Sequence, residues 1–575
     1  MGVKHLDHFI RNKVDNGCSK VNIADEVRKY HNNAADATLD PPLPVIVVDV
    51  WALLGELMGI DRESLIFGAR FNVGFWIIDG FLRKLKSLDV TLEFFVDGSV
   101  LDFKLDTWSQ RRDRGYQEML ELIDAVDMGD DVEAILANHE APSCCYAIEY
   151  LARRHGRLTV SLEKECDQEL AAFACKANAL AIISNDSDFL IYDGDWKYWS
   201  SRDLDITSLD TLEYNRKALL KHLGLNFAQM PLFATLCGND IVVLEELKRF
   251  HYRLGKYSDK MINVARFIRQ GPKSVDVSKV VEQAFGPRNA HVKDRFQTSL
   301  DFYKTDYSTV TNHEESPQMR EIFLKHPNKF MYQLWHKKPY TVSFGPVDMR
   351  RIELGERLPK FALRIHLRTA GIVLYHRVEH RKSYTHPFVI KLDHELKHKL
   401  QRFFVEFPPT DVPPTLPELF SSDPAVGENL HDRKLQLISW IVSERLDYRQ
   451  LKPILRPLLP TVITLCNLME NHVLQLFEAD LLLHVAYQVV TDDYDPATME
   501  IPTKVQSRPF RLVFFYQTMY RLVVEAMGCI GLNLQKFRED PPFDGVMFHT
   551  KYEEWASSEV KTTPIAQWRI YAHQC

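Results

Sequence analysis

The sequence predicts an α/β protein with a parallel sheet at its N-terminal end, followed by a helical subdomain, a small mixed α/β region and a helical C-terminal domain. Three observations predict it. Short apolar runs alternate with amphipathic stretches over residues 1–245, acidic residues recur just after those runs, and residues 421–575 carry apolar side chains at helical spacing.

Taken in order, Pro41, Pro42 and Pro44 deliver the chain into Val45-Ile46-Val47-Val48. A short continuous apolar run reads as a parallel strand buried on both faces. Residues 92–96, 158–162 and 181–183 give three more such runs. Between them, 71–88, 145–154 and 167–179 read as helices. Strands alternating with helices predict a right-handed parallel sheet covered on both faces, so 1–245 is taken as the first domain.

After Gly238 the segments 242–257, 259–270 and 277–285 read as short polar helices, which places a small helical subdomain at 246–310. Residues 311–420, rich in His, Lys, Tyr and Pro, read as a β-containing region. It closes in a stiff linker over 408–417, where Pro408, Pro409, Pro413, Pro414 and Pro417 cluster. The stretches 430–444, 462–489 and 508–529 then form a helical domain over 421–575.

A chain of 575 residues exceeds one hydrophobic core, since domains run to roughly 100–200 residues each. A net charge of −7 argues against coating nucleic acid by bulk electrostatics, so any such contact must be local. Nine scattered cysteines with no CxxC pair exclude a disulfide framework and a zinc ribbon. Charges and histidines occupy the N-terminus where a signal peptide would be apolar, and no uninterrupted apolar run approaches the ~20 residues of a membrane span. The expectation is an intracellular protein, cytoplasmic and/or nuclear, with no membrane partner.

The acids carry the chemistry. Asp49 ends the first strand, Asp97 the second, and Asp186 and Asp188 follow the fourth. Glu165 and Asp167 lie just after the third strand, at the start of a helix. In a parallel sheet those ends share one edge, where ligand crevices open. Asp240 follows an apolar helix able to return to that edge. Singly, an Asp after a strand is often a turn former or a helix cap. Seven carboxylates on one edge repel one another unless cations neutralise them. All-oxygen ligation favours Mg²⁺ or Mn²⁺, and two such ions about 4 Å apart can drive phosphodiester hydrolysis. Lys104 and Arg111, two turns apart on a predicted helix with Arg112 and Arg114, suit a phosphate held over the ions.

These residues resemble a known family. Met1-Gly2-Val3, the strand ending in Asp49, Val96-Asp97-Gly98 with Lys104 and Arg111 beyond it, Glu165-Cys166-Asp167, Asp186-Ser187-Asp188 and Gly238-Asn239-Asp240 look like the PIN-like flap-endonuclease/XPG nuclease pattern, in order and spacing. The resemblance implies that Asp49, Asp97, Glu165, Asp167, Asp186, Asp188 and Asp240 bind metal directly or through water. It also implies that Lys104 and Arg111 contact the scissile phosphate, with Arg62 a weaker candidate, and that Gly2 lies near the site.

Two departures stand out. The Gly-x-Gly hairpin expected soon after the last Asp is replaced by Ile241-Val242-Val243-Leu244-Glu245-Glu246-Leu247, and Asp167 stands where Glu is usual. The hairpin grips duplex backbone, so its absence tells against ordinary duplex-flap binding. Lacking it, the chain is similar to the asteroid proteins and the constitutive coactivator of PPARγ-like proteins. Arg377-Val378-Glu379-His380-Arg381 and Pro541-Pro542-Phe543-Asp544-Gly545 resemble the C-terminal region of the latter group.

The expected function is Mg²⁺- or Mn²⁺-dependent endo- or 5′-exonuclease action on RNA or on single-stranded or structured DNA. The alternative is a non-catalytic RNA-binding or coactivator-type scaffold that keeps the nuclease fold and engages protein partners through its C-terminal helices. His376-Arg377-Val378-Glu379-His380 matches the H-x-x-E-H zinc pattern, but that pattern needs a helix, and its flanks read as strand or irregular.

Overall fold

The computed structural model of the chain describes residues 2–35, 42–57, 61–142, 144–271, 276–286, 292–305, 316–343, 348, 350, 358–392, 397–409, 412–421, 427–532 and 538–557. The chain divides into two compact units that interleave in sequence. The first comprises Met1–Leu57, Asp79–Thr107 and Ala152–Asn312; the second comprises Met58–Ile78, Trp108–Leu151 and His313–Cys575.

The first unit is built on a seven-stranded sheet: β1 (Cys18–Asn22), β2 (Val45–Asp49), β3 (Thr91–Asp97), β4 (Arg157–Ser161), β5 (Ala181–Ser184), β6 (Lys197–Ser200) and β7 (Asp210–Tyr214), in the order β1-β7-β6-β5-β2-β3-β4. β2 lies between β3 and β5 and is parallel to both, with Val48 opposite Phe94 on one side and Ile183 on the other. β4 and β6 extend the parallel set, while β7 and β1 close it antiparallel. The expected α/β fold with a mostly parallel sheet is met.

Three of the four apolar runs, β2, β3 and β5, form the parallel centre because both faces there are covered, while the fourth, β4, is the partly covered edge strand. Val47, Phe95 and Ile182 join Leu170, Ala171 and Ala174 of the helix Cys166–Lys176 in one cluster. Side chains alternate across a strand, and the residues facing the other way, Ile46, Val48 and Phe94, are equally buried. β1, β6 and β7 were not anticipated. The sequences of β1 and β7, such as Cys-Ser-Lys-Val-Asn in β1, mix polar and apolar residues because these strands lie toward the edge and are only partly covered, whereas β6, Lys-Tyr-Trp-Ser, is buried but too short and polar at its ends to stand out.

Expected helix 71–88 is Phe71–Lys86, and 167–179 is Cys166–Lys176. The helix expected from 145 starts only at Ile148, because Tyr146 and Ala147 adopt left-handed backbone. Beyond the sheet, the helices Met230–Cys237, Leu244–Leu254, Lys260–Gln270, Val277–Phe285 and Val292–Phe302 follow. Their apolar residues, among them Phe233, Leu247, Val264 and Phe296, share one buried cluster with the sheet residues Val47 and Ile182.

The second unit holds a three-stranded sheet of β8 (Tyr340–Ser343), β9 (Thr385–Lys391) and β10 (Lys399–Phe404), ordered β10-β9-β8, with β8 parallel and β10 antiparallel to β9. The helices Gly427–Val442, Leu459–Glu470, Leu476–Thr491 and Ser507–Cys529 follow. The stretch 462–489, expected to be helical, comprises parts of two helices. His472 turns left-handed, and Gln475 with Glu478 makes a capping box that starts the second.

Remote segments are tied into this unit by charge as well as packing. The buried Lys391 ammonium lies 2.6 Å from Asp113. Among the described residues the eight cysteines Cys18, Cys144, Cys145, Cys166, Cys175, Cys237, Cys466 and Cys529 are all free; Cys575 lies outside them. No helix among the described residues is long and apolar enough to cross a membrane.

Candidate metal centre

The C-terminal ends of the parallel strands converge as the topology requires. Asp49 is the last residue of β2 and Asp97 the last of β3. β5 ends at Ser184, and Asp186 caps the single 3-10 turn Ser187–Leu190 that follows, its Oδ1 accepting a hydrogen bond from the Asp188 N–H at 2.9 Å. Glu165 precedes the helix Cys166–Lys176 and Asp167 stands in its first turn, where the helix dipole favours negative charge.

Asp167, Asp186 and Asp188 each offer a carboxylate oxygen, and these oxygens lie within 4.8 Å of one another. Asp186 and Asp188 are buried, at 2% and 3% exposure, whereas Asp167 is partly open. Asp49 is buried beside them, its Oδ2 accepting from the Ser184 hydroxyl at 2.8 Å and its Oδ1 from the Ala52 N–H at 3.2 Å. The Ser184 hydroxyl also accepts from the Asp186 N–H, so one serine fixes two acids. Asp97 and Asp240 act on the same group electrostatically: both raise the Glu165 pKa, and Asp240 also raises those of Asp186 and Asp188. The fields of all seven expected acids therefore meet in one crevice.

Burial is the main cause of strain there. It pushes the Asp49 carboxyl up to about 7, with the charges of Asp97 and Asp186 adding to the shift. It lifts Asp167 and Asp188 well above the ordinary carboxylate value, and Asp186 in the same direction. Glu165 is raised by burial too, against the pull of Lys104. The Lys104 ammonium pairs with Glu165 and lies 5.4 Å from the centre of the Phe302 ring. Burial alone would lower its pKa, but Glu165 and Asp167 more than reverse that and raise it.

Gly2 lies at this centre, as expected. Its φ is +74°, and a Cβ there would fall 2.3 Å from Asp186 Oδ1 and 2.8 Å from Asp188 Oδ1, so only glycine fits.

The basic residues are arranged differently from the sequence expectation. Lys104 ends the 3-10 turn Asp102–Lys104, ahead of the helix Leu105–Met128 that carries an exposed Arg111. Arg111 and Arg62 both belong to the second unit, and Arg62 donates to the Leu136 carbonyl at 3.0 Å. His376 and His380 lie after the helix Leu358–Val373 has ended, not on it. His376 Nε2 donates to the Pro413 carbonyl at 2.7 Å, and no zinc pair forms from this motif.

Sequence reasoning missed Ser184, Tyr192, Asn239, Ser299 and Tyr303. Asn239 was within sight, as the neighbour of Asp240. Tyr303 gave no signal, because nothing in the chain's pattern announces that its hydroxyl donates to Asp188 Oδ1 at 2.8 Å. Tyr192 is wholly buried, its hydroxyl has no hydrogen-bond partner, and the charges acting on it most are those of Asp167 and Asp188.

The donor set fits a hard divalent cation. It is all oxygen and strongly negative, and a cation is what would relieve both the raised carboxyl pKa values and the buried, unpartnered tyrosine hydroxyl nearby.

Comparison with known proteins agrees with this sequence resemblance. A FAM120A-like domain is recognised over residues 223–307. The chain is 27% identical over 253 residues to the constitutive coactivator of peroxisome proliferator-activated receptor gamma of Bos taurus, covering 44% of this chain and 35% of that protein. It is 28% identical over 267 residues to the Mus musculus protein of that name, covering 46% and 33%. Against the single-strand DNA endonuclease ASTE1 of Pongo abelii it is 23% identical over 219 residues, covering 36% and 31%. The chain thus spans about a third of the length of the curated relatives it matches. Both groups that the sequence resembles, the asteroid-type nucleases and the coactivators, are among its relatives. Among solved structures, the catalytic core of Rad2 aligns at 16% identity and a TM-score of 0.28, covering 54% of this chain and 88% of that one. Human GEN1 in complex with Holliday junction DNA aligns at 13% and 0.32, covering 58% and 78%.

Proposed function

We propose that the first unit is a divalent-metal-dependent phosphodiesterase acting on nucleic acid, with single strands the favoured substrate. One observation carries this reading: three carboxylates from two separate elements place oxygens within 4.8 Å of one another at the C-terminal edge of a parallel sheet. Such a cluster raises the free energy of the fold unless a cation uses it. The name of the ASTE1 relative, a single-strand DNA endonuclease, supports the substrate class. So does the turn after Asp240, where Asn239 accepts from the Ile241 and Val242 N–H groups and a helix starts at Leu244, in place of a glycine hairpin.

Asp167, Asp186 and Asp188 would hold Mg²⁺ or Mn²⁺, with Asp49, Asp97, Glu165 and Asp240 acting directly or through water. When bound, the cations supply a nucleophile at neutral pH and neutralise charge on the phosphate. The chain's own residues do the rest. Ser184 orients Asp49 and Asp186, and the Asp188 N–H fixes Asp186. Lys104 offsets the acids while the crevice is empty of substrate, then meets the incoming phosphate by exchanging its hold on Glu165.

The test is incubation of the purified full chain with labelled single-stranded, flap and hairpin DNA and RNA, in Mg²⁺ or Mn²⁺ and then in EDTA. Cleavage that EDTA stops and Asp186→Ala abolishes supports the reading. Cleavage indifferent to Asp186→Ala belongs to a contaminant.

A second reading has its own support, since the matched coactivators of Bos taurus and Mus musculus are 27% and 28% identical to this chain, against 23% for the matched endonuclease. In it the fold is kept as a scaffold for RNA or protein, and the helices of 421–575 engage the partner. Absence of cleavage on every substrate, with retained RNA binding, would favour it.

A further inference from the structure

The last helix of the first unit among the described residues, Val292–Phe302, ends against the acidic centre, and hydrogen bonds through its Ser299 and the following Tyr303 form a directed chain. Asn239 Nδ2 donates to the Ser299 hydroxyl at 2.8 Å and to the Tyr303 hydroxyl at 3.1 Å. The Tyr303 hydroxyl in turn donates to Asp188 Oδ1 at 2.8 Å. The amide orientation of Asn239 is fixed from its other end, where Oδ1 accepts from the Ile241 and Val242 N–H groups at 3.1 and 2.9 Å. Ser299 is further pinned by the Thr235 hydroxyl at 2.8 Å. Every member of this relay is buried.

The same short segment touches the centre at two more points. Gln168, next to Asp167, donates to the carbonyls of Asp301 and Lys304 at 3.2 and 3.0 Å, and the Phe302 ring lies under the Lys104 ammonium. Residues 301–304 therefore strap across the carboxylates, and Asn239, adjacent to Asp240, links the strap to the turn carrying that acid.

We propose that Tyr303, held by Asn239, whose amide is itself anchored on Ser299, is a positioning residue for Asp188 that raises the affinity of the centre for a divalent cation and ties that affinity to the seating of the helix Val292–Phe302. This rests on the metal-dependent reading above and names its control. The physical basis is the orientation of ligand carboxylates by outer hydrogen bonds: the hydroxyl occupies one lone pair of Oδ1 and locks the carboxylate plane. Loss of such a partner typically costs about 10–100-fold in metal affinity. The relay lies within the stretch recognised as a FAM120A-like domain, so it joins that stretch to the acids of the sheet.

The experiment is calorimetric titration of Mn²⁺ into the full-length protein at a temperature where every variant is folded. Four proteins are compared: the parent, Tyr303→Phe, Asp188→Asn and the double variant. The expected result is parent binding that Asp188→Asn weakens, a roughly 10-fold weaker Kd in Tyr303→Phe, and no further loss when Tyr303→Phe is added to Asp188→Asn. A merely structural tyrosine would weaken both backgrounds alike, and that additive result overturns the proposal. An unchanged Kd in Tyr303→Phe overturns it as well, while leaving the metal reading intact. Parent protein that binds no Mn²⁺, or binds it indifferently to Asp188→Asn, sinks the metal reading and the proposal together. Should Tyr303→Phe not fold, Ser299→Ala removes a more distant member of the relay and must weaken Mn²⁺ in the same direction.

Discussion

Lys104 is ion-paired with Glu165 at the edge of a carboxylate cluster, both side chains largely shielded from water at 18% and 10% exposure. The lysine thus works first as an internal counterion. Replacing it with an uncharged residue leaves Glu165 among like charges, and removing one partner of a shielded pair costs about 3 kcal/mol or more. Lys104→Met is therefore expected to lower the melting temperature in EDTA by several degrees. Adding Glu165→Gln to that variant should restore most of the loss. A full-sized loss in the double variant would show that the lysine stem, not its charge, matters.

The pH dependence of the metal-free protein follows from the direction of the carboxyl shifts. Asp49 titrates near 3.8 when unfolded and at about 7 when folded. The folded state therefore holds the extra proton, and the associated stability is complete below about 4 and disappears as pH rises through 7. Asp167, Asp186 and Asp188 shift in the same direction. In EDTA the parent should lose melting temperature relative to Asp49→Asn as pH goes from 5 to 8. Saturating Mn²⁺ should narrow that difference. Parallel curves for the two proteins would refute the titration.

The parallel centre of the sheet and the approximate positions of its acids were legible because β2 and β3 are short apolar runs ended by a carboxylate, Val45–Asp49 and Thr91–Asp97, and acids follow soon after β4 and β5. Partly exposed strands such as β1 were not legible, since the Cys-Ser-Lys-Val-Asn pattern answers to incomplete cover rather than to the core. The spacing puts Lys104 on the same face of a predicted helix as Arg111, but the chain breaks into a 3-10 turn at Asp102–Lys104 before the long helix begins. Tyr303 was invisible for a different reason. Its role is set by a hydrogen bond spanning 115 residues, and neither propensity nor periodicity encodes that.

Cation binding should stabilise the fold, because it acts only where the chain holds the acids together. A ligand at 100 times its Kd contributes about 2.7 kcal/mol. Mn²⁺ is expected to raise the melting temperature of the parent, and the Asp186→Asn plus Asp188→Asn pair should remove most of the rise. Gly2→Ala probes the same place sterically, since its Cβ would meet Asp186 Oδ1 at 2.3 Å. It should reduce the rise without removing any carboxylate. Equal shifts in all three proteins would place the ion elsewhere.

Asp348, in the second unit, contributes to the pH dependence in the opposite sense, and one arginine tests this. The Arg511 guanidinium donates to Asp127 at 2.8 and 2.7 Å and to Asp348 at 3.2 and 3.0 Å, while Arg350 holds Asp348 from its other side at 2.9 Å. Burial works to raise the Asp348 pKa, but the hydrogen bonds from Arg350 and Arg511 overcome it and the pKa falls below its ordinary value. A carboxyl lowered in the fold contributes stability above its unfolded pKa of 3.8, and that stability is lost as pH drops through the folded value. Arg511→Met leaves two acids short of a partner, at a cost of about 3 kcal/mol. Amide exchange along the helix Ser507–Cys529 should accelerate in this variant at pH 7, and the excess over the parent should shrink as pH falls through the lowered pKa of Asp348. An excess that persists unchanged as the pH is lowered would assign the effect to lost packing of the arginine stem instead of its charge.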